Sequence, residues 1–137
     1  MKKFFSVLAI IFGVCFVIFE IQIYKCLKEY GYGINQLPQT SLVYFGIING
    51  FTVSSDGDQS KFIGRSDSSI LGSLFEDYND IFEKHGYCLK DRLGSGFAYC
   101  KKGSNDDQAA FCFVKQRVWC RWFRVYSLSH GYKIEDF

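Results

Sequence analysis

The longest run of hydrophobic residues lies at the N-terminus of the chain. Lys2 and Lys3 are followed by sixteen residues without a charge, and the apolar pattern continues past Glu20 to Tyr24. A helix that crosses the hydrocarbon core of a membrane needs about 20 mostly apolar residues, and Phe4–Tyr24 has that length. The run is apolar on every side, whereas a helix of a soluble protein is amphipathic. The pattern therefore predicts a transmembrane helix that contacts membrane lipid through residues 4–24.

Two other kinds of N-terminal segment share this beginning. A cleaved signal peptide needs small residues at its cleavage site, but the residues that follow Phe19 are large. A lipoprotein needs a small residue just before the lipidated cysteine, and neither Cys15 nor Cys26 has one. We therefore favour an uncleaved anchor helix over residues 1–30, then a linker over 31–40 and a domain over 41–137.

The first part of the domain alternates between apolar runs and turn residues. Leu42–Ile48 is rich in β-branched and aromatic residues, which favours a strand. Asn49–Gly50 follows, and this dipeptide is a strong hairpin signal because both residues tolerate positive φ. We expect Phe51–Ser54 to return as a second strand and Phe62–Ile63 to form a short third one.

One amphipathic helix is predicted over Asp67–His85. Ser66 or Asp67 can cap its first free amides, and Gly86 suits the left-handed position after its end. Its apolar residues recur at spacings of three and four, which makes one hydrophobic stripe. The stripe consists of Ile70, Leu71, Leu74, Phe75, Tyr78, Ile81 and Phe82.

After Gly86 the pattern changes to short aromatic and β-branched runs separated by turn residues. Consecutive short strands of this kind favour an antiparallel meander. The candidate strands are Tyr87–Asp91, Phe97–Lys101, Ala110–Lys115 and Val118–Tyr126. The predicted fold class is therefore α+β, with an N-terminal transmembrane helix and a small domain in which one main helix packs on a β-meander.

Each candidate strand of the meander carries one cysteine. Hairpins centred on Gly94, Asp106 and Gln116 would place Cys88, Cys100, Cys112 and Cys120 in one row of one sheet face. Because opposite residues on neighbouring strands lie close enough to bridge, we favour the bonds Cys88–Cys100 and Cys112–Cys120 over a single Cys100–Cys112 bond. Structural zinc sites use closer cysteine pairs, so we expect no metal.

Equal numbers of lysines lie on the two sides of the span, so they do not determine its orientation. Disulfides form in oxidising compartments, and the predicted disulfides therefore place the domain outside the cytoplasm. We expect a single-pass protein of the bacterial inner membrane whose C-terminal domain lies in the periplasm or outside the cell.

The rest of the composition narrows the function classes. Of the 16 basic and 14 acidic residues, 12 of each fall within 34–137, so the domain is formally neutral and no nucleic-acid partner is expected. His85 and His130 lie in no recognisable catalytic setting, and no phosphate-binding or nucleotide-binding motif occurs. We therefore expect no enzyme activity and no cofactor. An enzyme that uses His85 or His130 is a third hypothesis, after a binding module and a structural subunit.

The most distinctive chemical pattern is the basic and aromatic stretch 115–126. Tryptophan and arginine are the residues most enriched at binding hot spots, and the stretch contains no acidic residue. Its candidate binding residues are Arg117, Trp119, Arg121, Trp122 and Arg124. The alternative is that a tryptophan fills the core and the arginines pair with the acidic helix face, Glu76 to Glu83.

Together these patterns predict a membrane-anchored, non-catalytic binding module with a protein partner. An immunity-type or inhibitor protein that neutralises an envelope-acting toxin or enzyme is a specific form of this hypothesis. A structural subunit of a membrane or secretion complex is the alternative.

Overall fold

The structure is a computed structural model that describes residues 1–66, 74–105, 108–116 and 120–137. The chain forms two compact units, Met1–Ser41 and Leu42–Phe137. The first unit is helical, and the second contains a six-stranded antiparallel sheet with one helix packed on it. The α+β class predicted from the sequence is thus confirmed.

The N-terminal helix α1 spans Lys2–Glu29. At about 1.5 Å per residue it is about 42 Å long, and it is long and apolar enough to cross a membrane. Gly31 ends the helix in the left-handed conformation, with φ of 78°. The amide of Tyr32 donates to the Leu27 carbonyl at 2.9 Å, which is the hydrogen bond of a Schellman motif.

The predicted linker is largely helical, and the predicted strand Leu42–Ile48 is instead the end of a helix up to Tyr44, followed by turns and bends. A short 3-10 helix, Ile34–Gln36, leads into α2, Leu37–Tyr44. Pro38 lies in the first turn of α2, where its missing amide costs no helical hydrogen bond. The hydroxyl of Thr40 donates to the Gln36 carbonyl at 2.7 Å, so a residue that favours strands is accommodated in a helix.

The first hairpin also differs from the prediction. Strands β1, Gly50–Asp56, and β2, Gln59–Arg65, pair around Gly57, which has φ of 47°. Asn49–Gly50 therefore lies at the start of β1 rather than in a hairpin turn. The loop that the chain uses is Gly57–Asp58, because Asp56 pairs with Gln59, and glycine at the first loop position tolerates the positive φ that a two-residue hairpin needs.

The amphipathic helix is shorter than predicted. Helix α3 spans Tyr78–Lys84, and Asp77 is its N-cap. The Asp77 carboxylate accepts a hydrogen bond from the Tyr78 amide at 2.7 Å. Residues 74–77 are not α-helical, and the predicted caps differ in outcome: Ser66 lies outside the helix, and Asp67 lies outside the described residues.

The C-terminal strands form the predicted meander. They are β3, Tyr87–Leu93; β4, Gly96–Lys101; β5, Phe111–Lys115; and β6, Phe123–Ser129. The strand order in the sheet is β1-β2-β6-β5-β4-β3, so β2 joins the meander by pairing with β6. Strands β1 and β3 form the two edges.

An aromatic core joins α3 to the sheet. Phe82 is fully buried and its ring lies 4.9 to 5.4 Å from those of Tyr99, Phe111 and Phe113. The hydroxyl of Tyr78 donates to the Asn49 carbonyl and accepts from the Arg65 amide at 3.0 Å. One buried tyrosine therefore links α3 to both the start of β1 and the end of β2.

Substitution Phe82→Ala tests this core. Removing a fully buried phenylalanine leaves a cavity and is expected to lower the free energy of unfolding by about 3–5 kcal/mol. The measurement is denaturant unfolding of the full chain in detergent, with the exposed Leu93→Ala as the control. A loss no larger than that of Leu93→Ala would show that Phe82 does not hold α3 on the sheet.

Candidate functional site

Arg121 and Trp122 lie just before β6 and form the centre of an exposed aromatic cluster. The Trp122 ring packs edge-on against Tyr44, with 5.3 Å between the ring centroids. The guanidinium of Arg121 lies 4.7 Å from the centroid of the Trp122 ring, within the range of a cation–π interaction. Arg121 is exposed and Trp122 is half-buried, so a cation and part of an aromatic ring are accessible at the surface.

The end of α2 supplies the other half of the cluster. Phe45 lies 5.3 Å from Tyr44 and is 46% exposed. Burial raises the pKa of Tyr44, and the positive charge of Arg121 acts in the opposite direction, because it stabilises the phenolate. We call Tyr44, Phe45, Arg121 and Trp122 the Trp122 surface.

The predicted binding residues divide into three groups. The structure brings Arg121 and Trp122 together, while Arg117 and Trp119 lie outside the described residues. Arg124 is in β6, half-buried and opposite Gly64 of β2.

The alternative for the basic stretch 115–126 was that a tryptophan fills the core and that the arginines pair with Glu76 to Glu83. Trp122 packs against Tyr44, and Glu76 forms its ion pair with Lys84.

Sequence reasoning missed Tyr44 and Phe45 because it placed them in a strand. Pro38 was the available signal, since proline is favoured in the first turn of a helix.

A concave surface lies at the N-terminal end of α3, where part of the sheet is uncovered. This cleft has a volume of about 210 Å³, and we call it the Phe97 cleft. Its lining is mainly apolar and aromatic, with an acid, an amide and an ammonium group among it. The lining residues are Asp77, Asn79, Leu89, Phe97, Tyr99, Phe113 and Lys115.

The polar groups of the Phe97 cleft are fixed by hydrogen bonds and by ring contacts. The Tyr99 hydroxyl donates to Asn79 Oδ1 at 3.0 Å. Burial, with the nearby Asp77 and Glu83 carboxylates, raises the pKa of Tyr99 to about 12, so its hydroxyl stays protonated at neutral pH. Lys115 Nζ lies 5.5 Å from the centroid of the Phe97 ring. The cleft can therefore accept an apolar side chain between polar groups of both signs.

The first cysteine pair has the predicted register. Cys88 of β3 lies opposite Cys100 of β4, because a β-bulge between Leu89 and Asp91 shifts by one residue the register that the two-residue loop after Leu93 sets. Their Sγ atoms are 3.0 Å apart, and both cysteines are free. The thiol–thiol hydrogen bond with Cys100 is the main cause that raises the pKa of Cys88. The Cys88–Cys100 bond stays a prediction, and the two sulfurs lie at a distance that favours it.

The rest of the predicted cysteine row is wrong in its register. Cys112 lies opposite Ala98 rather than Cys100, and its amide donates to Ser129 Oγ at 2.7 Å. The connections 102–110 and 116–122 are long, and a long loop does not fix register as a two-residue turn does. The structure does not form the Cys112–Cys120 bond.

The state of the other cysteines differs from the prediction. Cys112 is free, whereas Cys120 is disulfide-bonded, as is Cys26. From the sequence, Cys26 could be free or could link two copies of the chain. Within the described ranges, no group of three or more His, Cys, Asp or Glu side chains is placed to hold a metal ion.

Comparison with known proteins identifies no relative: no family model, curated protein or solved structure matches the chain. The surfaces described above therefore carry the functional argument by themselves.

Mild oxidation tests the contact between Cys88 and Cys100. Treatment of the full chain with a small disulfide oxidant is expected to join these two cysteines, because their sulfurs need to approach by only about 1 Å to reach bonding distance. Peptide mass spectrometry under non-reducing conditions would detect the cross-linked pair. Cys100→Ser should abolish this peptide and Cys112→Ser should leave it. Cross-linking of Cys88 to Cys112 in the parent chain would contradict the observed register.

Proposed function

We propose that the protein is a single-pass, membrane-anchored and non-catalytic binding module that recognises a protein partner through the Trp122 surface. In this proposal α1 is the anchor, and the unit Leu42–Phe137 is the recognition domain outside the cytoplasm of a bacterial cell. The observation that carries the proposal is the stacking of Arg121 on Trp122 beside Tyr44 and Phe45.

The chemistry of this cluster favours binding to an acidic protein surface. Aromatic residues and arginine dominate binding hot spots because they bury a large area and keep a polar group for orientation. Arg121 adds a positive charge that a carboxylate can approach, and its contact with Trp122 orients the guanidinium before binding. Phe45 supplies exposed apolar area next to it. A partner would therefore present an apolar side chain flanked by acidic groups.

The cysteines support the proposed compartment. Cys26 and Cys120 are disulfide-bonded, and stable disulfides belong to oxidising compartments such as the periplasm. The length and apolar composition of α1 favour retention at the inner membrane. An anchored domain on that side would meet its partner at the membrane surface.

An immunity-type or inhibitor protein is the specific form of the function that these features fit best. Such a protein needs a stable scaffold, a strong contact surface and an anchor where the toxin or enzyme acts, and it needs no catalytic group. The Phe97 cleft offers a second place on the same domain for one apolar side chain of the partner.

Partner capture from membranes of the source cell tests the proposal. The full chain in detergent is expected to retain a protein partner, and Trp122→Ala and Arg121→Glu are each expected to weaken retention at least tenfold, or about 1.4 kcal/mol, as for hot-spot residues. Lys61→Glu is the matched control, because it reverses an exposed charge on β2 outside the Trp122 surface.

The outcomes of this capture distinguish the hypotheses. Retention that survives Trp122→Ala and Arg121→Glu but is lost in Phe97→Ala would move the contact to the Phe97 cleft and contradict the Trp122 assignment. Retention that none of these substitutions weakens but that substitutions on the exposed face of α1 abolish would favour a subunit of a membrane complex.

A further inference from the structure

The N-terminal unit contains an apolar groove between α1 and the chain that follows it. After Gly31 and Gly33 the chain turns, and the 3-10 helix and the start of α2 lie beside α1. The groove between them has a volume of about 250 Å³. Its lining is apolar apart from one carboxylate and one phenol. The lining residues are Phe16, Val17, Glu20, Ile21, Tyr24, Ile34 and Leu37.

A partly buried hydrogen bond holds the start of α2 beside α1. The hydroxyl of Ser41 lies 2.8 and 3.0 Å from the two carboxylate oxygens of Glu20. It also lies 3.0 Å from the Leu37 carbonyl. A hydroxyl has one hydrogen and donates one hydrogen bond at a time. The charged Glu20 carboxylate is a stronger acceptor for it than the Leu37 carbonyl. The contact joins the α2 segment to α1 at the height of Glu20.

The position of Glu20 sets the height of the groove in the membrane. Glu20 is the only charged residue between Lys3 and Lys25, and a carboxylate in the hydrocarbon core is costly. The sixteen uncharged residues Phe4–Phe19 cover about 24 Å of a hydrocarbon core of about 30 Å. Glu20 therefore lies within about 6 Å of the outer boundary of the hydrocarbon core, where its carboxylate can reach the headgroups, and the groove lies at the same height.

We propose that residues 34–41 lie in the lipid–water interface and that the groove holds an acyl chain of a phospholipid from the outer leaflet. This inference rests on the proposed anchoring of α1 in a membrane. Three residues of α1 and two of the returning segment supply an apolar wall, and Ile34 is 63% exposed. Tyr24 lies at the rim, where tyrosine is favoured at headgroup height.

The charges around the groove favour a phospholipid over a second apolar helix. Lys25 and Lys28 follow the groove on α1, and basic residues just beyond a membrane span attract lipid phosphate groups. A phospholipid fits these positive charges, with its acyl chain along Phe16 to Ile21 and its phosphate near the lysines.

A photo-cross-linking amino acid at position 34 tests this inference. The full chain is reconstituted in vesicles of phosphatidylethanolamine and phosphatidylglycerol, irradiated, and examined for lipid adducts by mass spectrometry. Position 34 is expected to give several-fold more lipid adduct than position 35. Asn35 is the matched control, since it is an exposed neighbour that does not line the groove.

A third site separates this inference from the anchoring itself. The same probe at Ile10, in the middle of the apolar stretch of α1, reports whether the helix lies in lipid. Adducts at position 10 with none at 34, or equal yields at 34 and 35, would overturn the groove proposal and leave the anchor intact. Absence of adducts at both 10 and 34 would overturn the anchor as well. Cross-linking of position 34 to a second copy of the chain would also contradict the lipid assignment.

Discussion

The unit Leu42–Phe137 depends on the packing of one short helix against a broad sheet. Helix α3 has seven residues, so it can cover only part of a six-stranded surface. Large aromatic rings compensate for its shortness: Phe82 and Tyr78 each contact several rings of the sheet. Aromatic side chains bury a large area each, which explains how a chain that is 19% aromatic can build a core with so little helix.

The same shortness explains where the concave surface is. Beyond the N-terminus of α3 the sheet face stays open, and the Phe97 cleft lies there between Asp77 of the cap and Lys115 of β5. The Trp122 surface has a different origin. It forms where two connections meet, the end of α2 at Tyr44 and the segment before β6 at Trp122.

Local patterns in the sequence predicted some elements well and others poorly. The N-terminal helix, the meander and the stripe of Tyr78, Ile81 and Phe82 follow from periodicity and turn residues alone. The helical conformation of Leu42–Tyr44 was not predicted, because a short apolar run has the same sequence pattern in a strand and in a buried helix.

Register and the candidate sites required information that local patterns do not contain. The Cys88–Cys100 pairing depends on a β-bulge between Leu89 and Asp91, since the tight turn after Leu93 alone would place Cys88 opposite Lys101. The position of Cys112 depends on a long loop. Arg121 and Trp122 were identifiable from composition. Their partner Tyr44 is about eighty residues away in the chain, and only the tertiary fold brings it to Trp122.

The central claim is that α1 anchors a recognition domain on the outer side of the bacterial inner membrane. Protease digestion of intact spheroplasts that carry the full chain with a C-terminal tag tests this most directly. The account predicts that the tag and the unit Leu42–Phe137 are digested while the spheroplast membrane is still sealed, and that a membrane-bound fragment containing α1 remains. Protection of the tag until detergent dissolves the membrane would place the domain in the cytoplasm and contradict the account.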